Sequence, residues 1–450
     1  MVKELDSHGS WKISAATFLS EGIHELKLII QLGWPNSINA MIAYLPKIGL
    51  LIFIQDLDEL AAAGMAVMWT NVTGVSLIVG SCTGLGPLIS QAFGAQNYDR
   101  VGNLFQRQVW LHFMFICLPV AILWFFSAPL LLAAGQPPRI VALVATFACA
   151  LIPSLPALAL QRDLSIFYQS QRVTQLPMFI TMVSSVLNLA LYWLLLASPY
   201  RIGFLGGPIA QVISAWVQCL ALIAYAPRVL PASWPSGQWS VSVASQGLWE
   251  LIRLSLPGTA MLLAEWWGWE LNLFLAGWTC PHEEDAPMSQ MGLNTTEKGS
   301  SASCIALDVF PIASNTMVFS FFVHMGFSTA AAAHVGNLVG EGDAKRAKVA
   351  ATITFFFVGI ISAAMATLLV YTAEPWTNLF ATDVAVIATA VKIMPLVAVY
   401  IFFDALGPGF MNNVLRSVNH VAGPAAINCA SFYVLGIPLG AWYAEVYCFC

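Results

Sequence analysis

Apolar stretches of about 20 residues, each closed by a short polar one, repeat along almost the whole chain. They lie near 28–54, 60–84, 105–131, 141–161, 175–197, 204–226, 250–278, 302–330, 347–371, 383–408 and 421–446. That length carries a helix across the hydrocarbon core of a bilayer. An open sheet would leave its edges unsatisfied in lipid, and barrel strands would alternate rather than run apolar. The pattern therefore predicts an all-α, polytopic membrane protein of about eleven helices. One polar stretch is much longer than the rest, at 279–304.

Composition agrees. The 450 residues are 58% hydrophobic and only 9% charged, where a soluble chain carries about 25% charged residues. The deficit is spread over the full length, so the lipid bilayer is the expected surrounding. A net charge of -5 without a basic patch gives no reason to expect nucleic acid. The opening residues MVKELDSHGSWKISAATFLS are polar and mixed. They do not read as a cleavable signal, and the chain is expected to start in the cytoplasm. Basic residues then fall on one side, among them Arg100, Arg107, Arg162, Arg172, Arg346 and Arg416, against Arg139, Arg201 and Lys298 on the other. That asymmetry marks the cytoplasmic face. Most of the nine cysteines sit in apolar runs and read as small buried hydrophobes, and no CxxC or His/Cys spacing points to a metal or any other cofactor.

The chain repeats itself. SQAFGAQNYDR at 90–100 matches GNLVGEGDAKR at 336–346, each after an even-numbered span, and LGWP at 32–35 matches LSLP at 254–257. Two halves of like topology follow: a cytoplasmic segment at 1–27, an N-terminal lobe of spans 1–6 at 28–227, a linker at 228–249, and a C-terminal lobe of spans 7–11 at 250–450. Duplicated halves around a central site are a transporter habit. A second half equal to the first calls for a twelfth helix, and the sequence stops at YAEVYCFC without one.

NVTGVS in span two, LISQAFGAQNYDRVGNLFQR after it, RLSLPGTAMLLAEWWGWE in span seven and GFSTAAAAHVGNLVGEGDAKRAK after span eight occur in order. Together they resemble the multidrug and toxic compound extrusion family, in its eukaryotic form, over roughly residues 28–446. The resemblance implies two six-helix lobes and alternating access. It also implies export of organic cations, drugs or metabolites against inward proton flow.

By the resemblance, the family's essential acid of span seven falls on Glu265 and a second acid on Glu270. They are five positions apart, about 140° around a helix, so the two do not point to one spot. Glu265 is expected to face the interior of the C-terminal lobe. Asp404 in YIFFDALGPGF falls where the family carries an acid, with one residue too many before Arg416, which a helix bulge near Gly407 and Pro408 would absorb. Asn315 and Asn428 match amide positions that can hydrogen-bond a carboxyl in either protonation state, or simply join helices. A carboxyl shielded from water can hold a proton or a cation but not both. Trp266 and Trp269 offer ring faces worth about 0.5–2 kcal/mol to a cation, or are plain packing.

The N-terminal lobe has no mid-span acid on this reading. Lys47 in YLPKIG is its odd charge, expected to snorkel or to pair, and is given no role. His324 in FFVHMGF reads first as a satisfied core histidine and second as a proton or substrate ligand. Within 279–304, Asn294 heads an N-glycosylation sequon, and Cys280 and Cys304 bracket the insert as a possible disulfide on the oxidising side. The expected partners are a small organic substrate, protons and lipid, with the chain a monomer in the plasma or vacuolar membrane. An exporter of organic anions such as citrate or flavonoid conjugates is the alternative within transport. A membrane receptor or channel is the alternative outside it, disfavoured by the duplication. No nucleophile–base pair suggests an enzyme.

Overall fold

The computed structural model describes residues 15–54, 56–235, 239–278 and 305–448, with side chains described except at 15–19, 57, 269–278, 305–308 and 443–448. Eleven long helices follow one another: α1 (Ala15–Phe53), α2 (Asp58–Gly94), α3 (Tyr98–Phe125), α4 (Pro138–Ser170), α5 (Gln175–Ala197), α6 (Gly206–Val229), α7 (Leu248–Trp278), α8 (Ile305–Gly340), α9 (Ala344–Tyr371), α10 (Val384–Ser417) and α11 (Ala422–Trp442). Among the described residues, ten of them are apolar and long enough to cross a membrane. α7, at 31 residues, is also long enough. The chain is a multi-pass membrane protein, as its hydropathy pattern predicts.

The helices outrun the apolar stretches at the basic end of the bundle. α1 starts at 15 rather than 28, α2 runs to 94 rather than 84, α4 to 170 rather than 161 and α8 to 340 rather than 330. The extra turns are packed on protein rather than lipid, so they need only an amphipathic face and hydropathy alone misses them. Arg162 and Asp163 thereby lie inside α4.

α1 and α7 straddle the molecule. The first part of α1 packs with α8, α9 and α10, where Ile29 joins a core with Ala331, Val335, Ala350 and Phe410. Its later part, at Leu50, joins a core built from α2 to α6 that includes Trp124, Phe147 and Tyr192. α7 does the converse: Leu251 is buried among Leu85, Phe105 and Phe167, while Gly268 lies against Phe432 of α11.

The repeated segments meet each other at the basic end. Gly94 packs on the backbone of Asn337, and Gly340 on the backbone of Gln91, the positions that the sequence repeat equates. Both turns close alike. Gln96 (φ 57) and Gly342 (φ 80) take the left-handed conformation, and the amides of Asn97 and Asp343 each donate, at 2.9 Å, to Ala92 O and Leu338 O. The side chains of Asn97 and Asp343 then cap α3 and α9 by accepting from the amides of Arg100 and Arg346. Such left-handed termini are the ordinary way to end a helix.

Candidate functional site

α7, α8 and α10, with α2 and α4, line a cavity shared by the two halves of the chain, and Glu265 is the acid on its wall. Glu265 and Trp266, one turn beyond Met261 on α7, line a cavity of about 200 Å³ with Phe321 and Met325 of α8, Arg416 of α10 and Arg162 of α4. The charges that bear on the Glu265 carboxyl are Asp404 and Arg416, with the Asn428 amide of α11 beside it. Asn428 is itself buried. Its Nδ2 makes no well-formed hydrogen bond among the described residues.

Asp404 stands at the last regular turn of α10 before the helix widens. Tyr400 Oη, one turn earlier on the same helix, donates to Asp404 Oδ1 at 3.1 Å. From α8, His324 Nε2 stands 3.6 Å from Asp404 Oδ2, and the His324 side chain is only 1% exposed. Neither ring nitrogen of His324 makes a hydrogen bond among the described residues. The expectation of a satisfied core histidine is corrected: this ring sits beside an acid with its hydrogen-bonding capacity unused. Directly after Asp404 the helix widens over Ala405–Met411. That is the bulge expected near Gly407 and Pro408, and such widened turns occur often at functional sites. Gly409, inside it, lies flat against the His324 imidazole.

The predicted residues are thus not all together. Glu265, Asp404, Asn428 and Trp266 converge on one region. Asn315 is engaged between helices, accepting from Tyr44 Oη of α1 at 3.5 Å and donating to Pro311 O at 2.9 Å. The side chains of Trp269 and Glu270 lie outside the described residues, as do Cys280, Cys304 and Asn294 altogether.

Three charges line cavities within the bundle. Arg162 and Arg416, assigned to the cytoplasmic side, line the central cavity because α4 and α10 continue past their apolar stretches. Lys47, expected to snorkel or to pair, lines an adjoining cavity of about 330 Å³ with Asn36, Tyr44, Gln161 and Phe322, its Nζ 5.7 Å from the centre of the Tyr44 ring. The first half of the chain does hold a buried acid. Asp163 is fully buried and pairs with His112 Nδ1 at 2.9 Å. No local signal revealed it, since the two residues are 51 positions apart and His112 sits in an apolar run.

The MatE family model matches residues 35–194 and 300–442. Multidrug and toxin extrusion protein 1 of Homo sapiens is 29% identical over 426 residues, covering 94% of this chain and 70% of that protein. An uncharacterised transporter of Schizosaccharomyces pombe is 28% identical over 428 residues, covering 94% and 74%. Among solved structures, the eukaryotic MATE transporter AtDTX14 superposes with a TM-score of 0.80 at 23% identity, covering 96% of this chain and 94% of that one. The Vibrio cholerae MATE transporter VcmN in its bent form superposes with a TM-score of 0.78 at 17% identity, covering 96% and 97%. The helical architecture is one that both share.

Proposed function

This chain belongs to the MatE family, whose members are multidrug and toxin extrusion transporters, and from that premise we propose that it is a proton-coupled antiporter. Its cargo is an organic cation, drug or secondary metabolite, moved by alternating access. The observation that carries this reading is the carboxyl of Glu265 lining a cavity beside Trp266, with the Asp404 charge and the Asn428 amide bearing on it.

The chemistry is exclusion. Two carboxyls near each other in a low-dielectric cavity repel when both are ionised, so the pair favours a counter-charge. A cationic cargo supplies it, and so does a proton. Protonation of Glu265 or Asp404 weakens the hold on the cargo, and cargo binding favours release of the proton. Trp266 offers a ring face to the cation. Contacts at the basic end support a form closed there: Gln91 Nε2 donates to Ser417 O at 2.8 Å, Arg172 pairs with Glu341 at 3.2 Å, and Gly94 and Gly340 abut the opposite backbone. Alternating access requires that these separate.

A second reading, export of an organic anion, draws on Arg162 and Arg416 in the same cavity. Proteoliposomes loaded with a fluorescent cation and given a pH gradient test the first reading. Efflux driven by the gradient in the wild type and lost in Glu265→Gln is expected. Unchanged gradient-driven efflux in Glu265→Gln would sink the exchange scheme. Gradient-driven movement of citrate and none of the cation would establish the second reading instead.

A further inference from the structure

Two cavities meet at Arg162 of α4. On one side lies the cavity of Glu265 and Trp266, and on the other the cavity of about 330 Å³ that Lys47 lines. Val79, Gln169, Met325 and Thr329 also line both, so the two adjoin along one edge. Their walls differ in character. The first offers the Glu265 carboxyl and an indole ring. Among the described residues no Asp or Glu lines the second, whose charged groups are Lys47 and Arg162 and whose other polar groups are amides and hydroxyls, Asn36, Gln161 and Gln218 among them.

We propose that the cargo is amphoteric: an organic molecule whose cationic group lies at Glu265 and Trp266 and whose carboxylate is held at Arg162, on the side of Lys47. The inference rests on the reading of Glu265 as the cation site and adds to it the acidic end of the cargo.

Arg162 is the cation whose charge the protein leaves for a ligand. Asp163, next to it in sequence, points about 100° away around the helix and is engaged there: its Oδ2 is 2.9 Å from His112 Nδ1, and its Oδ1 accepts from Cys82 Sγ at 3.4 Å. The charges that bear on Glu265 are Asp404 and Arg416, so that acid does not answer Arg162 either. Arg416 is anchored on Asn412 and Asn413, whereas Arg162 Nε has no hydrogen-bond partner among the described residues. A guanidinium is always charged and has no acceptor, and its planar fork matches a carboxylate. Lys47, with Nζ 5.7 Å from the centre of the Tyr44 ring, adds positive charge to the same wall.

Charge selects this class over the simpler ones. A purely cationic cargo at Glu265 shares its cavity with the Arg162 guanidinium, and a purely anionic one at Arg162 shares it with the Glu265 carboxylate. Either meets a like charge where the dielectric is low. With an amphoteric cargo, Glu265, Arg162 and the two ends of the molecule sum to zero, and each charged group faces its opposite. Size agrees as well. Adjoining cavities of about 200 and 330 Å³ together fall within the range of about 300–1,000 Å³ usual for small-molecule sites.

The test uses the full purified chain and two dyes, a rhodamine with a free carboxylate and the methyl ester of the same rhodamine. They differ in that one charge, and fluorescence polarisation gives both affinities. The wild type is expected to bind the acid about 10–100-fold more tightly than the ester, the worth of hydrogen bonds to a charged group. Arg162→Gln should abolish the preference by weakening the acid alone. Lys47→Met should reduce it by a smaller factor, and takes the place of Arg162→Gln if that variant does not fold. Glu265→Gln should weaken both dyes alike. A wild type that binds the acid no more tightly than the ester, or a preference that survives both the Arg162 and the Lys47 substitutions, overturns the amphoteric cargo. Ester binding that still depends on Glu265 would then leave the cation site standing. Affinities of both dyes that ignore Glu265→Gln would overturn the cation site itself, and the amphoteric assignment with it.

Discussion

Arg346 grips Glu25 with two nitrogens, Nε at 2.8 Å and Nη2 at 2.7 Å, and so ties α9 to α1. The sequence repeat equates Arg346 with Arg100, and Arg100 Nη2 pairs with Glu250 on α7 at 2.8 Å. Each repeat thus uses the same arginine to hold the first helix of the opposite half. The two pairs differ in their surroundings. Glu25 is 1% exposed and takes a second partner, His334 Nε2, at 2.5 Å, while Arg100 and Glu250 are 48% and 43% exposed.

The difference in burial predicts unequal consequences. An exposed ion pair contributes about 0–1 kcal/mol, so Glu250→Gln is expected to leave thermal stability nearly unchanged. Glu25→Gln strips the acid from His334 and Arg346 together. Breaking a buried pair costs about 3–5 kcal/mol, and the partial exposure of Arg346 brings the expectation to about 2 kcal/mol. Thermal unfolding of the two variants in detergent measures it. Equal shifts would mean that burial does not distinguish the pairs.

Gly94 and Gly340 predict a matched pair of defects. A Cβ on either meets a carbonyl of the opposite helix, Asn337 O or Gln91 O, and a backbone atom cannot swing aside as a side-chain end can. Gly94→Ala and Gly340→Ala should each destabilise the closed basic end by about 1–3 kcal/mol, as overpacking does. Faster thiol labelling of a cysteine placed at Ser417, which Gln91 covers, would report the opening. No change in labelling in either variant would count against the close approach.

Much of the fold was legible because lipid imposes a simple rule, that backbone polar groups must be satisfied within the helix. The apolar stretches located the helices, and the repeat equated the two segments that turn at Gln96 and Gly342. The bulge after Asp404 was legible from one surplus residue. What escaped were the helix ends at the basic side and everything that depended on them. Arg162, Asp163 and Arg416 lie beyond the apolar stretches, so hydropathy assigned them to loops, whereas packing keeps them inside α4 and α10. The pairing of His112 with Asp163 and the approach of His324 to Asp404 join residues 51 and 80 positions apart. Periodicity carries no information about such contacts.

His324 and Gly409 predict a lesion confined to the Asp404 region. An alanine at 409 would drive its Cβ into the imidazole, which has Asp404 on its other flank at 3.6 Å. Gly409→Ala is expected to lower gradient-driven efflux while the chain still folds. His324→Ala combined with it removes the obstruction and should restore part of the loss, unless the imidazole itself is needed for exchange. Efflux in the single and double variants separates steric from chemical use of the ring. Full activity in Gly409→Ala would show that the ring's position does not matter.

Arg416 distinguishes the two kinds of cargo. Its Nη2 donates to Asn413 Oδ1 at 2.8 Å and its Nε to Asn412 O at 3.2 Å. The guanidinium is therefore anchored on its own helix while it faces the cavity that holds Glu265. At an effective dielectric of about 20, a charge about 8 Å from a bound ion contributes roughly 2 kcal/mol. In a cation exporter that contribution opposes binding, so Arg416→Gln should tighten the cation by up to about 30-fold, since 1.4 kcal/mol is a factor of ten. In an anion exporter the same change should weaken cargo binding by a similar factor. Equilibrium binding of a cationic and an anionic dye to the wild type and to Arg416→Gln reads the sign directly. If neither dye responds to the substitution, the guanidinium is not in the electrostatic field of the cargo.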